Sequence, residues 1–452
     1  MLNIVILAAG QGTRMRSRLP KVLHRLAGKT LLEHVYVAAS RLRSREVHVV
    51  YGFGGRQVPE AHPQFEVKWV EQARQLGTGH ALMQVIDEIP VNDEVMVLYG
   101  DVPLITYETL SRLEERARDT GFALLVTRLE DPRGYGRIVR DEQGGIARVV
   151  EERDADAQER DIDEVNTGVM VVRAKWLKKW LFELRDDNAQ KEFYLTDIVR
   201  IAVEQGTEIG TIEPDSSMEV HGINSRAQLA QLERYYQLVQ AHQLMHRGVS
   251  LLDPARFDLR GDLEVGRDVT IDVNVVIEGS VSIGDNVTIG PNCHIRDADI
   301  ASDARILSNC VIENAVIGRR CRIGPFSRIR PETRIGEDVH VGNFVELKST
   351  QVGDRSKINH LSYVGDTEVG NDVNIGAGAI TCNYDGALKH KTLIGNDVFV
   401  GSDVQLIAPV TIGEGATIGA GTTITHDVDP GTLALSRVEQ QNIAGWKRPR
   451  KN

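Results

Sequence analysis

The chain has 452 residues, 41% of them hydrophobic and 26% charged, proportions of an ordinary soluble protein with room for two well-buried cores. Its net charge of −11 argues against a nucleic-acid partner, despite a short basic tail beginning at Trp446. No apolar run is long enough to cross a bilayer, and the N-terminus passes straight into a strand without a signal-peptide pattern, so the expected location is the cytoplasm.

Residues 1–226 alternate strand-like and helix-like segments, as a mixed α/β sheet requires. Strands are expected near Asn3, Glu46, Val67, Val95, Ala123, Ala147 and Val169, with helices from Thr30, Thr78 and Thr106 between them. The first strand runs into LAAGQGTRMRSRLPK, Leu7 to Lys21. Gly10 and Gly12 let the backbone turn tightly and leave amides free to face a phosphate, while Arg14 and Lys21 supply cationic charge. The spacing is GxGTRM, which departs from the dinucleotide-binding GxGxxG. Further along, YGDVPL puts Asp101 at the end of a strongly apolar strand, where a carboxylate is costly unless it is solvated, holds a metal or caps the helix from Thr106.

Residues 227–247 have helical spacing without Gly or Pro, and read as a helical linker with Leu229, Leu232, Tyr236 and Val239 on one face. In residues 248–452 an aliphatic residue returns every sixth position: Val265, Ile271, Ile277, Ile283, Ile289 and Ile295, and again from Ile394 to Ile424. Five-residue steps shift the phase at Ile300 and Ile317. Neither a helix nor an alternating strand has that period, so the run reads as a solenoid whose coils stack at the strand spacing of ~4.8 Å. Period alone leaves open a rigid spacer or trimerisation rod. The four cysteines lie in this region without CxxC spacing and read as compact core residues.

A spacer has no use for cations at repeat positions normally held by small or turn residues, yet Arg330 and Lys348 follow core positions eighteen residues apart. They are expected to stack on adjacent coils, where like charges are unfavourable without an anion such as phosphate between them. NHLSYVGD then brings His360 and Tyr363, and NIGAGAITCNYDGALKHK interrupts the beat with a loop carrying Asn383, Tyr384 and Lys389. By itself His360 reads as an ordinary surface histidine, and only the cations and the loop beside it favour a chemical role.

The loop from Leu7 to Lys21 resembles the signature of sugar-nucleotide pyrophosphorylases, and the repeats resemble the left-handed parallel β-helix of hexapeptide acyltransferases. Together, over nearly the whole chain, these features resemble the bacterial bifunctional enzymes that join a glucosamine-1-phosphate acetyltransferase to an N-acetylglucosamine-1-phosphate uridyltransferase. The resemblance implies an N-terminal Rossmann-like nucleotidyltransferase domain, with Leu7, Ala8, Ala9, Gly10, Lys21, Gln72, Gly77, Thr78, Tyr99, Gly100 and Asp101 around UTP. It implies that Gly136, Glu151 and Asn166 meet the sugar, that Asp101 and Asn224 hold Mg2+, and that Arg14 and Lys21 meet the charge in flight.

In the solenoid it implies that Arg330, Lys348, Tyr363, Asn374 and Lys389 bind glucosamine 1-phosphate. Ala377, Asn383, Tyr384, Ser402, Ala420 and Arg437 would line the acetyl-CoA site, with His360 as general base. It also implies a homotrimer with acetyltransferase sites between subunits. Gln11 and Ala379 depart from the family pattern, where lysine and threonine occur in some relatives. Two other readings stay open: a catalytic N-terminal half with a merely regulatory solenoid, and a non-catalytic scaffold that senses sugar nucleotides.

Overall fold

The computed structural model describes residues 1–450; residues 451 and 452, the end of the expected C-terminal domain, lie outside it. The chain divides into two compact units, Met1–Tyr236 and Gln237 onward, the boundary falling inside the helix Arg226–His246.

The first unit is built on the strand Leu2–Ala8, buried along its whole length. It pairs in parallel with Ser44–Tyr51 on one side and Glu94–Tyr99 on the other. The sheet order is Gly210–Ile212, Phe122–Arg128, Glu164–Arg173, Glu94–Tyr99, Leu2–Ala8, Ser44–Tyr51, Lys68–Glu71, and Glu164–Arg173 is antiparallel to both neighbours. Side chains alternate across a strand, so Val5 and Leu7 enter one apolar cluster with Trp180 and Leu195, while Ile4 and Ile6 enter another with Leu32 and Leu110. Burial on both faces explains why the strand reads as a continuous apolar run. Helix Tyr107–Thr120 is capped by Thr106, whose hydroxyl accepts from the Thr109 amide at 3.2 Å, and it ends at Gly121 with φ +77. Thr106 thus does the capping that sequence left open to Asp101.

In the second unit, parallel strands on successive coils pair in register: Ile271, Ile289, Ile306, Ile323, Val341, Ile358, Ile375, Val400 and Ile418 form one internal column. All are buried in a single apolar core that also takes Cys293, Cys310 and Cys321 as free thiols. No coil can bury its apolar face alone, so this core exists only by stacking. One corner is turned by Asn274, Asn292 and Asn309 in the left-handed backbone region, which short polar side chains tolerate. Higher up, the same corner is turned by Phe326, Phe344 and Leu361, with φ of 58, 59 and 50. These bulky residues are 49%, 55% and 64% exposed, and the two phenyl rings stack at 5.3 Å. Holding such side chains at positive φ is costly.

Candidate active sites

The carboxyl ends of the central parallel strands open onto a cleft of about 510 Å³. Ligands of open α/β sheets settle at such strand ends. Leu7, Ala8, Ala9, Gly10, Arg14, Lys21, Gln72, Gly77, Thr78, Tyr99, Asp101 and Asn224 all line it, together with Gln11, noted above only as a departure from the family pattern, and Gln75 and Glu192, which sequence did not single out. Gly12, at φ +60, lies where a Cβ would come within 2.8 Å of the Lys21 Cβ, so the glycine lets the loop fold back on the lysine. The Lys21 ammonium donates to Asp101 and, at 3.1 Å, to Asn224 Oδ1. Two oxygen ligands thus converge on one cation. Gly222 adjoins the pair, a Cβ there lying in ordinary contact distance of Asp101 Oδ2 at 3.8 Å. A carboxylate and an amide oxygen that already share a positive charge fit Mg2+, which takes few protein ligands and completes its shell with phosphate and water.

Beside the cleft, Gly136 pairs with Asn166 across the sheet, and a Cβ at Gly136 would sit 3.6 Å from the Glu151 carboxylate. The three residues expected at the sugar are therefore together, while Gly100, expected at UTP, is not among the residues lining the cleft and packs toward Val22, Ala8 and Leu32. Glu151 accepts from the Thr196 hydroxyl at 2.9 Å. Burial pushes its carboxyl above the ordinary glutamate value, aided by the charges of Asp197 and Asp154 and opposed by Thr196. Burial likewise raises the Tyr99 phenol, which feels both Glu151 and Asp101 and so lies between cleft and sugar cluster.

A carboxyl with a raised folded pKa loses stability for the fold as pH climbs from its unfolded value through its folded one. Glu151→Gln is therefore expected to melt at a higher temperature than the parent at pH 8. The difference should close as pH falls toward the ordinary glutamate value of about 4.3, a trend read from thermal melts across pH.

On the solenoid, the register Ile329 to Leu347 stacks Arg330 and Lys348 on adjacent coils. Each has a carboxylate for company: Arg330 donates to Glu346 at 2.7 Å, and Lys348 lies 3.9 Å from Asp366. Sequence foresaw bare cations; the strand Glu346–Lys348 instead places an acid two residues before its lysine, on the same side. Asn383 donates to Asp366 and lies 3.5 Å from the Tyr363 hydroxyl. Lys348 stands beside Lys389 and holds its ammonium below the usual lysine value, with Asp366 opposing. Arg330, Lys348, Tyr363, Asn383 and Lys389 thus gather on one face, with three cations against two carboxylates. Tyr384 stays exposed on the loop, bridging to Lys389.

The other expected residues lie on the neighbouring sheet and its corner. His360 ends the strand Lys357–His360, with Asn374 on the next coil. Ala377, Ser402 and Ala420 follow one another up the corner, linked by backbone bonds from Asp403 to Ala377 and from Gly421 to Ser402. The Arg437 guanidinium lies over Gly419. His360 Nδ1 is 2.9 Å from Asn343 Oδ1 one coil below. An amide oxygen only accepts, so Nδ1 carries a proton, and in the neutral ring the lone pair is then on Nε2.

A nucleotide cleft at the mouth of a mixed α/β sheet, followed by a hexapeptide solenoid that carries clustered cations and a tautomer-fixed histidine, defines a two-module transferase. Residues 4–196 match the MobA-like NTP transferase domain, 259–343 the GMPPB C-terminal domain and 391–426 the bacterial transferase hexapeptide with six repeats. The bifunctional protein GlmU of Thiobacillus denitrificans is 58% identical over 99% of this chain and 98% of its own length. The GlmU proteins of Methylococcus capsulatus and Chromohalobacter salexigens are 55% and 53% identical, over 97% and 99% of their lengths and 99% and 100% of this chain. The chain belongs to the bifunctional GlmU family, and it is a nucleotidyltransferase and acetyltransferase in one polypeptide. Among the described residues, no helix is long and apolar enough to cross a membrane.

Proposed function

We propose that the two activities run on the two sites just described, acetyl transfer on the solenoid and uridylyl transfer in the cleft, yielding UDP-N-acetylglucosamine. Convergence of Lys21, Asp101 and Asn224 at the strand ends carries the cleft assignment. A phosphate oxygen of N-acetylglucosamine 1-phosphate attacks the α-phosphorus of UTP, and the bond to the bridging oxygen breaks to release pyrophosphate. Phosphoryl transfer asks for alignment and charge neutralisation more than for covalent help. Gly10 and its neighbours offer backbone amides, Gln72 meets the base, Gly136, Glu151 and Asn166 hold the sugar, and Arg14 and Lys21 face the reacting phosphates. Asp101 and Asn224 would hold Mg2+, which supplies further neutralisation of phosphate charge.

In the acetyl reaction the 2-amine of glucosamine 1-phosphate attacks the thioester carbon of acetyl-CoA. His360 Nε2 takes the amine proton, and the sulfur leaves as the thiol of coenzyme A. Arg330, Lys348, Tyr363 and Lys389 hold the sugar phosphate from one face. Asn374 completes that set from the neighbouring sheet, His360 is the base, and the corner of Ala377, Ser402, Ala420 and Arg437 with the Asn383-Tyr384 loop lines the coenzyme. The first set and the His360 corner lie on different faces of the solenoid, so one copy's face meets another's corner in a homotrimer. Exposed Phe326, Phe344 and Leu361, on the corner beside His360, support that packing.

Light scattering should return three times the chain mass. Phe344→Asp should shift it toward one chain, with acetyl transfer lost and pyrophosphate release retained. The direct test of both activities supplies glucosamine 1-phosphate, acetyl-CoA, UTP and Mg2+ together, then singly withheld. Thiol release should need only the first two, and pyrophosphate release from glucosamine 1-phosphate should need all four.

A further inference from the structure

Gln72, placed above against the nucleotide base, is only 2% exposed and is held at every polar atom but one. Its backbone N–H donates to the Tyr51 carbonyl at 2.8 Å, and its carbonyl accepts from Gln75 Nε2 at 2.9 Å. Its side-chain Nε2 donates to the Gly77 carbonyl at 3.1 Å and lies 2.9 Å from His80 Nδ1. Oε1 has no hydrogen-bond partner among the described residues, and Gln72 borders the cleft. A primary amide has two N–H donors and an oxygen that only accepts. A carbonyl at Gly77 fixes which end is nitrogen, since two oxygens at that distance would repel. The second N–H then goes to Nδ1 at 2.9 Å, which must present its lone pair, so the His80 proton sits on Nε2; the Gln84 amide, 3.4 Å from Nε2, spends its N–H on the His80 carbonyl at 3.1 Å. Burial lowers the His80 pKa, in keeping with a neutral ring.

We propose that His80 is a specificity-determining residue for the nucleotide, acting through the orientation of the Gln72 amide. With both N–H groups engaged, Gln72 can turn only an acceptor toward the base. Uracil offers an N–H at ring position 3 and suits that oxygen; cytosine offers a lone pair there and does not. Rotating the amide to suit cytosine would set its oxygen against the Gly77 carbonyl and the Nδ1 lone pair and forfeit both bonds. Sites built around buried hydrogen-bonding groups discriminate most strongly when the wrong partner leaves such groups unpaired. Thymine shares the N–H of uracil, so this device separates UTP from CTP and leaves dTTP alone. It depends on Gln72 being the base contact, and the test separates the two questions.

The readout is the ratio of kcat/KM for UTP to that for CTP, from pyrophosphate release by the full chain with N-acetylglucosamine 1-phosphate and Mg2+. Because both nucleotides meet the same preparation, any misfolded fraction cancels from the ratio. His80→Leu keeps apolar bulk and removes the acceptor; the ratio is expected to fall about tenfold, or ~1.4 kcal/mol. Gln72→Leu, which removes the amide, should also bring the ratio down. A ratio unchanged in His80→Leu but collapsed in Gln72→Leu overturns the role of His80 while keeping the base contact. Equal loss of UTP and CTP turnover in His80→Leu is a purely structural effect, and it overturns that role too. Unchanged ratios in both variants overturn the placement of Gln72 itself. A fall in His80→Leu alone would mean that His80 acts without Gln72, which also defeats the proposal.

Discussion

Replacing His360 with alanine should cut acetyl transfer by about 10² to 10⁴, the usual share of a general base, while pyrophosphate release from supplied N-acetylglucosamine 1-phosphate stays at the parent rate. An ammonium has no lone pair, so the 2-amine must be neutral when it attacks and must lose a further proton as the amide forms. Only a base positioned at the reacting nitrogen can take that proton in step with bond formation. With Nδ1–H held by Asn343, the neutral ring has its lone pair on Nε2, the atom proposed as that base. The cleft residues all belong to the other compact unit, from Leu7 to Asn224, and none depends on the imidazole. Thiol release and pyrophosphate release, followed separately on one preparation, decide the matter. If both fell together, His360 would be supporting the fold, and the assignment of two independent sites would fail.

Much of this arrangement could be read before any coordinates, because its causes are local or periodic. A six-residue beat of aliphatic side chains has one geometric solution in which each reaches a common core, and the column from Ile271 to Ile418 is that solution. The loop from Gly10 to Lys21 was legible because its glycines and cations are close in sequence. Contacts across coils were harder. Asn343 reaches His360 seventeen residues on, a step that cannot be counted until the shortened coil between them is known. The acids beside Arg330 and Lys348 escaped notice for a different reason: Glu346 and Asp366 read as ordinary surface charge until the strand register shows which cations they face. At the corner of Phe326, Phe344 and Leu361, local preference points to Asn or Asp, and only the backbone reveals that bulky residues have been held there against it. Gln72 was legible as a residue of the cleft, but its contact with His80 was not, since a histidine on the first turn of a helix has no signal that it meets an amide.

Replacing Asp101 with alanine should lower pyrophosphate release by about 10³, the scale on which losing one preorganised charge contact costs a reaction that lives on charge stabilisation, and should leave thiol release untouched. Two roles for the carboxylate predict different behaviour in the isosteric variant. If Asp101 serves mainly to hold Lys21, Asp101→Asn retains an oxygen for the ammonium and keeps much of the rate, because Asn224 Oδ1 still receives Lys21 at 3.1 Å. If Asp101 serves mainly to hold Mg2+, the neutral amide is a much poorer ligand for a hard cation. Turnover by Asp101→Asn is then low and climbs with Mg2+ concentration well beyond the point at which the parent saturates. The second pattern is the expected one: Asp101 and Asn224 would hold Mg2+, and a hard divalent ion that takes few protein ligands loses more from a neutral amide than the Lys21 ammonium does. A rate in Asp101→Ala near that of the parent would remove the cleft assignment altogether.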